Sequence, residues 1–376
     1  MFITHIRCDG FKNLKNVDIE TDKKLNLICG RNAQGKTNLI EAIWLCSGVR
    51  SFRNTKDKRM IDIDKELMSI DIRFENSFRA QDIHYAMAKN NLKEKNVSLN
   101  GVRLKTPSKL FGSLNCVVFT PEDLELSKGS PDNRRRFLDL SVSQIKNSYS
   151  PLIDKYEAII DQRNTLLKNI AYGRSDRAEL DIWDIQLARL GAYISVLRYN
   201  YTKKLGIFAS RLYDEISDGN EKLELFYSST VYNDPEGRTD FNGELYEEYY
   251  RTLQENLEDD IRIGFTQKGV HRDDLGGRIN GLFVRDFASQ GQHRSLALVL
   301  KLAQAYILAE EIDDTPCILL DDVLSELDPS RQGFVVSKIN DMQVFITCCD
   351  RNFPFEIKNG GKLFAVEKGY VREEKF

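Results

Sequence analysis

The stretch that decides the fold is Gly30-Arg31-Asn32-Ala33-Gln34-Gly35-Lys36-Thr37. It follows an apolar run over residues 25–29 and precedes a helical pattern that we extend to about Val49, so its context is strand, loop, helix. The spacing G-x-x-x-x-G-K-T in this context is typical of a phosphate-binding loop. The glycines allow a tight turn that points N–H groups at phosphate oxygens, and the following helix adds its positive dipole end. Lys36 is expected to reach the β- and γ-phosphates and Thr37 to bind Mg²⁺, so we predict that the chain binds a nucleoside triphosphate.

The composition limits the classes of function. The 376 residues carry a formal net charge of −3, so contact with nucleic acid would have to come from local basic patches. Seven cysteines are scattered without a C-x-x-C pair, which favours buried reduced thiols. The four histidines lack metal-ligand spacing, and the longest apolar segment, residues 296–309, is too short to span a membrane. With no secretory signal at the N-terminus, we expect a soluble cytoplasmic protein without a membrane partner.

The order of elements predicts an α/β fold with an insertion. Strand patterns dominate as far as Pro121, helical patterns follow at residues 149–169 and 179–217, and buried parallel strands return at 317–320 and 343–347. We therefore predict an ATP-binding lobe from residues 1–125 and 295–376, and a helix-rich lobe from residues 126–294. The two long helices are compatible with an antiparallel arm and equally with a helical layer that packs flat on the main sheet.

A second nucleotide element follows the apolar run Cys317-Ile318-Leu319-Leu320. Asp321 at the carboxyl end of such a strand is expected to hold the Mg²⁺ that Thr37 also contacts. Asp322 is placed to orient or activate the attacking water. By itself an apolar strand that ends in two aspartates is weak support, but it gains weight beside the glycine loop.

A third element, Ser289-Gln290-Gly291-Gln292-His293-Arg294, lies directly ahead of an apolar helix that we predict over residues 295–311. Ser289 and Gln292 have capping-box spacing, so the motif could simply begin a helix. A Ser-x-Gly at a helix start is also an anion site. One chain has a single glycine loop to bind phosphates. If two chains pair head to tail, the glycine loop of one chain and the Ser289 motif of the other can therefore bind the same nucleotide.

Ser289–Arg294 resembles the signature motif of ABC-type ATPases, and Val323-Leu324-Ser325-Glu326-Leu327-Asp328 resembles the loop after the acidic strand in their SMC-like branch. Within that branch the chain is similar to a family of bacterial recombination mediators. That likeness rests on Pro121–Leu124, Lys128–Pro131, Arg134–Asp139 and His271–Leu275.

The resemblance implies a two-lobed ABC-type head in which the residues from Gly30 to Thr37 bind ATP, Thr37 and Asp321 hold Mg²⁺, and Asp322 takes the position of the catalytic carboxylate. Ser289, Gly291 and Gln292 would contact the γ-phosphate held by a second subunit, and Asp328 would lie at that interface. Two departures stand out: Phe119-Thr120-Pro121-Glu122 lacks the expected glutamine, and Thr347 stands where transporters have a histidine. We therefore expect slow hydrolysis, suited to a switch.

Arg134-Arg135-Arg136 begins a predicted helix. The arginines could form local ion pairs with Asp132 and Asp139 or remain solvated. Alternatively, with Lys12, Lys15, Arg50 and Arg53, they contact DNA phosphates in a salt-sensitive way without reading bases.

By family resemblance the chain is an ATP-dependent homodimer that binds single-stranded, gapped or junction DNA and aids recombinase loading. RecR and RecO are the expected partners, in gap repair, DNA replication and the SOS response. The alternative is an ATP-gated scaffold or transporter-type subunit that does not bind DNA.

Overall fold

Two segments far apart in the sequence, Met1–Leu124 and Ala297–Phe376, form one unit, and Glu125–Leu296 forms a second. The computed structural model describes residues 1–53, 55–233, 240–349 and 361–375. Among the described residues, the first unit contains two sheets and the second unit contains one.

The elements are numbered in chain order. The first segment contains β1 (Phe2–Asp9), β2 (Val17–Glu20), β3 (Leu25–Cys29), α1 (Lys36–Leu45), β4 (Leu67–Glu75), β5 (Ala80–Ala88), β6 (Asn91–Leu99), β7 (Val102–Leu104) and β8 (Cys116–Phe119). The second unit contains α2 (Pro131–Ile145), α3 (Tyr149–Ala171), α4 (Asp181–Ile216), β9 (Leu223–Ser228), α5 (Gly243–Glu255), α6 (Leu257–Ile263), β10 (Asp274–Ile279), β11 (Leu282–Phe283) and α7 (Val284–Phe287). The chain ends with α8 (Gln290–Ile312), β12 (Cys317–Leu320), α9 (Pro329–Lys338), β13 (Val344–Cys348), β14 (Lys362–Glu367) and β15 (Tyr370–Glu374).

The sheet that carries the phosphate loop has the strand order β15-β14-β3-β13-β12-β8. All its neighbouring strands run parallel except the β14–β15 hairpin. Every residue of β8, β12 and β13 is buried, which is why these strands are continuous apolar runs in the sequence. Because β3, β12 and β13 are parallel neighbours, the residues that follow them meet at one edge of the sheet.

The second sheet of this unit is antiparallel, with the order β2-β1-β4-β5-β6-β7. In β4, Met68, Ile70, Ile72 and Phe74 are buried in alternation with more exposed residues, which is typical of a half-buried strand. The Asn100-Gly101 turn joins β6 to β7 with φ of 52° and 73°, the geometry of an Asn-Gly hairpin.

The second unit combines helices with the three-stranded sheet β11-β10-β9. The helices α3 and α4 pack against each other, and α4 also packs against β9 and α5. At the centre, the fully buried guanidinium of Arg163 bonds to Asp184 and Asp260, each at 2.6 Å. Within this unit, α4 thus packs on the small sheet and α3 packs on α4.

The predicted α/β fold class is confirmed, and three local predictions need correction. The helix α1 ends at Leu45, about four residues earlier than expected. The helix α8 begins at Gln290 rather than Ser295, so the Ser289 motif lies in its first turn. Cys29 and Cys348, which face each other on adjacent parallel strands, form a disulfide instead of remaining reduced thiols. Within the described ranges, every helix is too short or too polar to cross a bilayer.

Candidate nucleotide site

The loop between β3 and α1 has a backbone that depends on its glycines. A Cβ atom at Gly30 would lie 2.4 Å from the carbonyl oxygen of Val366. Gly35 has a φ of 124°, in the region that side chains disfavour, and it directly precedes the first turn of α1. The next two residues are Lys36 and Thr37. The predicted strand, loop and helix are therefore present, with the positive end of α1 directed into the loop.

The loop is supported from behind by two segments distant in sequence. The carbonyl oxygen of Gln34 accepts hydrogen bonds from Asn13 Nδ2 at 3.1 Å and from the backbone N–H of Gly369 at 3.0 Å. Its side-chain Oε1 accepts a third from the N–H of Lys368 at 2.7 Å. Lys368 and Gly369 form the turn between β14 and β15. Its contact with the loop has no local signal in the sequence.

Lys36 lies inside the loop. Its side chain is only 4% exposed, and its ammonium group donates to the carbonyl oxygens of Gly30 at 2.8 Å and Arg31 at 3.4 Å. These are neutral acceptors, which phosphate oxygens could replace with stronger, charge-assisted bonds. The position fits the role that the sequence predicts for Lys36.

Thr37 and Asp321 meet at the carboxyl edge of the sheet, although 284 positions separate them in the sequence. The hydroxyl of Thr37 donates to Asp321 Oδ1 at 2.9 Å. Burial raises the pKa of Asp321 to about 6, and the neighbouring Asp322 carboxylate adds to the rise. One hydroxyl and one carboxylate in contact are the oxygen ligands that Mg²⁺ takes alongside nucleotide phosphates and water, so these residues fit the ion.

Asp322 adopts a left-handed backbone conformation with a φ of 52°, uncommon for a residue with a side chain. Its N–H donates to the hydroxyl oxygen of Thr347 at 2.8 Å. The same hydroxyl lies 3.1 Å from Asp321 Oδ1 and 3.3 Å from Asp322 Oδ1. In the sequence Thr347 is noticeable only as a departure from a family pattern.

The Ser289 motif forms the capping box that its spacing predicts. Ser289 Oγ accepts from the N–H of Gln292 at 3.2 Å, and Gln292 Oε1 accepts from the N–H of Ser289 at 2.7 Å. The Gln292 amide also donates to Glu221 Oε1 at 2.7 Å. Ser289 itself is exposed, and Gly291 is half-buried. These residues belong to the second unit, whereas the phosphate loop belongs to the first.

Asp328 caps the N-terminus of the helix α9. Its carboxylate accepts from the backbone N–H of Arg331 at 3.1 Å and forms an ion pair with the guanidinium of the same residue. These bonds lower the pKa of Asp328, the backbone hydrogen bond contributing most. Within its own chain, Asp328 is a helix cap near the surface.

Three of the side chains considered for DNA contact have polar partners within the chain. Arg134 is 7% exposed and donates to both carboxylate oxygens of Asp274. Arg135 donates to the carbonyl oxygen of Asp273 at 2.8 Å and pairs with Asp132. Lys12 forms a largely buried ion pair with Glu41. Arg136 is the exposed member of the triplet.

The chain matches the family model for the RecF/RecN/SMC N terminal domain over residues 2–372. It is 38% identical to the DNA replication and repair protein RecF of Acetivibrio thermocellus, with 100% of this chain and 98% of that protein covered. It is 35% identical to RecF of Clostridium acetobutylicum, with 99% and 100% covered.

Solved structures agree with these relatives. The recombination mediator protein RecF-ATPrS in the RecFOR pathway superposes with a TM-score of 0.91 at 36% identity, with 99% of this chain and 98% of the other covered. An Smc head domain from Pyrococcus furiosus superposes with a TM-score of 0.55 at 15% identity, covering 99% of this chain and 96% of the other, which shows the shared fold.

The phosphate loop, the acidic strand and the capped Ser289 helix on this fold define an ATPase head of the ABC and SMC class. Within that class, the chain belongs to the RecF family of DNA replication and repair proteins.

Proposed function

We propose that this chain is an ATP-dependent switch in recombinational DNA repair, which dimerises on ATP, hydrolyses it slowly and binds DNA. The observation that carries the ATP site is the contact between Thr37 and Asp321 at the mouth of the phosphate loop. The loop from Gly30 to Thr37 would bind the phosphates of ATP, with Lys36 exchanging its carbonyl partners for phosphate oxygens. Thr37 and Asp321 would hold Mg²⁺, which supplies charge neutralisation at the β- and γ-phosphates when bound.

The dimer follows from the chemistry of the Ser289 motif. The positive end of the long helix α8 favours an anion, and Ser289 is exposed at that end. In the proposed dimer, Ser289, Gly291 and Gln292 of one chain contact the γ-phosphate held by the other, and Asp328 lies at the interface. Because ATP then binds the dimer more tightly than the monomer, ATP shifts the equilibrium toward the dimer.

Sedimentation with and without Mg²⁺ and ATP tests this arrangement. The wild type should dimerise only with nucleotide, and Ser289→Arg should remain monomeric because its side chain fills the anion site. A matched control is Asn242→Arg, which alters another exposed cap of a helix in the same unit, where Asn242 Oδ1 accepts from the N–H of Leu245 at 3.0 Å. A dimer that ignores both ATP and Ser289→Arg would refute the arrangement.

A basic segment after α1 provides a surface for DNA phosphates. Its exposed cations are Arg50, Arg53, Lys56, Lys58 and Arg59. Asp57 is the single acidic residue in this segment. Basic contacts of this kind position the duplex through phosphates and release counterions, so the affinity should fall steeply with salt. The side chains of Arg134 and Lys12 are largely buried, whereas the cations of this segment and Arg136 are exposed, which makes the exposed cations the better-placed candidates.

Titration of gapped DNA over a range of salt concentrations tests this surface. Lys56→Ala/Lys58→Ala should weaken binding and reduce the slope of log affinity against log salt by about 1 to 2. The control Lys203→Ala/Lys204→Ala removes the same charge from α4, far along the sequence, and should leave the slope unchanged. Equal slopes in all three proteins would exclude the segment as a DNA contact.

We also propose RecR and RecO as protein partners and recombinase loading on gapped DNA as the outcome. The competing function is an ATP-gated scaffold that does not bind DNA. The two differ in one measurement, because only a DNA-binding switch should change its ATPase rate when junction DNA is added. An unchanged rate, together with no DNA binding, would favour the scaffold.

A further inference from the structure

Thr347 occupies a position that neither the glycine loop nor the acidic strand explains. It lies in β13, one residue beyond Ile346, which pairs with Leu320 of β12 in parallel register. This register places Thr347 beside Asp321, the first residue after β12. The side chain is 3% exposed, so water cannot readily replace its contacts.

The Thr347 hydroxyl has three polar neighbours but only one proton to donate. Its oxygen accepts from the N–H of Asp322 at 2.8 Å, which fixes the backbone of a residue held at a φ of 52°. Its proton can go to Asp321 Oδ1 at 3.1 Å or to Asp322 Oδ1 at 3.3 Å, but not to both. Asp321 already accepts a hydrogen bond from Thr37 at the same Oδ1 atom.

We propose that Thr347 is a positioning residue that holds the Asp322 carboxylate for ATP hydrolysis by donating its hydroxyl proton to Asp322 rather than to Asp321. The inference rests on the proposed function. In the reaction, a water oxygen forms a bond to the γ-phosphorus, and the bond from that phosphorus to the β–γ bridging oxygen breaks. ADP leaves with the bridging oxygen, and the proton of the water passes to Asp322. A carboxylate that is free to rotate would meet this water less often in a productive geometry.

Substitutions by valine and by serine distinguish a positioning role of Thr347 from a packing role. Thr347→Val keeps the volume and the β-branch that a buried strand favours, and removes only the hydroxyl. Thr347→Ser keeps the hydroxyl and loses a methyl group. A residue that merely packs would tolerate valine better than serine, whereas a residue that positions Asp322 would tolerate serine better than valine.

The test measures kcat, KM, equilibrium ATP affinity and thermal midpoint for the full chain with Mg²⁺. Thr347→Val should lower kcat by about 10- to 100-fold while ATP affinity changes by less than about threefold, because the hydroxyl is proposed to act through Asp322. Thr347→Ser should recover most of kcat. The control Thr21→Val removes a hydroxyl that donates to the Ile3 carbonyl oxygen at 2.6 Å, and should leave kcat unchanged.

The outcomes separate the two proposals. Unchanged kcat in Thr347→Val, or valine outperforming serine, would overturn the role of Thr347 alone. A parallel loss of ATP affinity and kcat would assign Thr347 to nucleotide binding and also overturn it. A wild type without ATP affinity would instead refute the proposed function, and one that binds ATP without hydrolysing it would remove the reaction that Thr347 is proposed to serve.

Discussion

Arg134 donates two hydrogen bonds to the carboxylate of Asp274, from Nε to Oδ1 at 2.7 Å and from Nη2 to Oδ2 at 2.8 Å. The bond joins α2 to β10 across 140 positions of sequence. Beside it, Arg135 donates to the carbonyl oxygen of Asp273 at 2.8 Å. Two of the motifs that carry the family resemblance in the second unit, Arg134–Asp139 and His271–Leu275, are therefore partners of each other.

The Arg134–Asp274 pair predicts a large loss of stability when one partner is removed. Arg134→Ala should lower the free energy of unfolding by about 3 to 5 kcal/mol, because it leaves a partly buried carboxylate without its cation. Urea titration measures this loss, and Arg134→Ala/Asp274→Ala should lose less than the sum of the single variants. The control Arg136→Ala should cost less than about 1 kcal/mol. If Arg134→Ala keeps full stability and loses DNA affinity, the arginine contacts DNA after all.

The ionised carboxylate of Asp321 is predicted to lower the stability of the fold and to contribute to ion binding. Its carboxyl has a folded-state pKa of about 6 against an ordinary 3.8, so ionisation costs stability as the pH rises through this window. Asp321→Asn should therefore be more stable than the wild type at pH 7.5, by about 1 to 3 kcal/mol, and no more stable near pH 4. The same variant should bind Mg²⁺ and ATP at least about tenfold more weakly. Urea titration at both pH values and nucleotide titration at pH 7.5 check the two effects.

A control for this prediction is Asp328→Asn. The pKa of Asp328 is lowered by its bonds to Arg331, so its ionised form favours the fold. The substitution should reduce stability at pH 7.5, opposite in sign to Asp321→Asn. If both variants move in the same direction, the raised pKa of Asp321 does not describe the site.

Gly369 is predicted to be indispensable to the phosphate loop. A Cβ atom at Gly369 would lie 1.7 Å from the carbonyl oxygen of Asn13, so Gly369→Ala must move the turn that donates to Gln34. ATP affinity should fall at least tenfold, along with the thermal midpoint. Gly101→Ala is a matched control, since Gly101 also lies in a hairpin turn at positive φ but has nothing within 4 Å of its added Cβ. It should cost about 1 kcal/mol and leave ATP affinity intact. Equal ATP affinities for the two variants would contradict the proposed support.

His271 predicts a loss of stability in acid. Its Nε2 bonds to the carbonyl oxygen of Thr266 at 3.0 Å and must donate, so Nδ1 accepts from the hydroxyl of Tyr156 at 2.9 Å. Burial lowers the pKa of His271 to about 4 from its usual 6.5, and nearby arginines contribute. Between pH 6.5 and 4, His271 therefore binds a proton in the unfolded chain but not in the folded chain. The stability of the fold falls as the pH drops through this range.

The measurement compares the wild type with His271→Gln by urea titration at pH 7.5 and pH 5. Between these values the wild type should lose about 2 kcal/mol more than the variant. The difference between the two proteins isolates His271 from the other titrating groups. A variant with the same acid loss as the wild type would show that His271 titrates normally in the folded chain.

The sequence by itself determined the elements whose signals are local. The glycine loop, the buried parallel strands and the Ser289 capping box all have fixed spacing over a few residues, and all are present. One local boundary was misplaced: the helix predicted over residues 295–311 already begins at Gln290. Tertiary packing and the cap together outweigh the low helix propensity of Gly291.

Only the tertiary structure decided which distant side chain each polar group meets. Arg134 has the same charge whether it faces solvent or Asp274, and nothing within its helix selects between the two. Likewise, the support of Gln34 by Gly369 and the contact of Thr347 with both aspartates arise from strand order and register. A backbone conformation is set by neighbours along the chain, whereas a buried charge or hydroxyl is satisfied by whichever partner the folded sheet brings within about 3 Å.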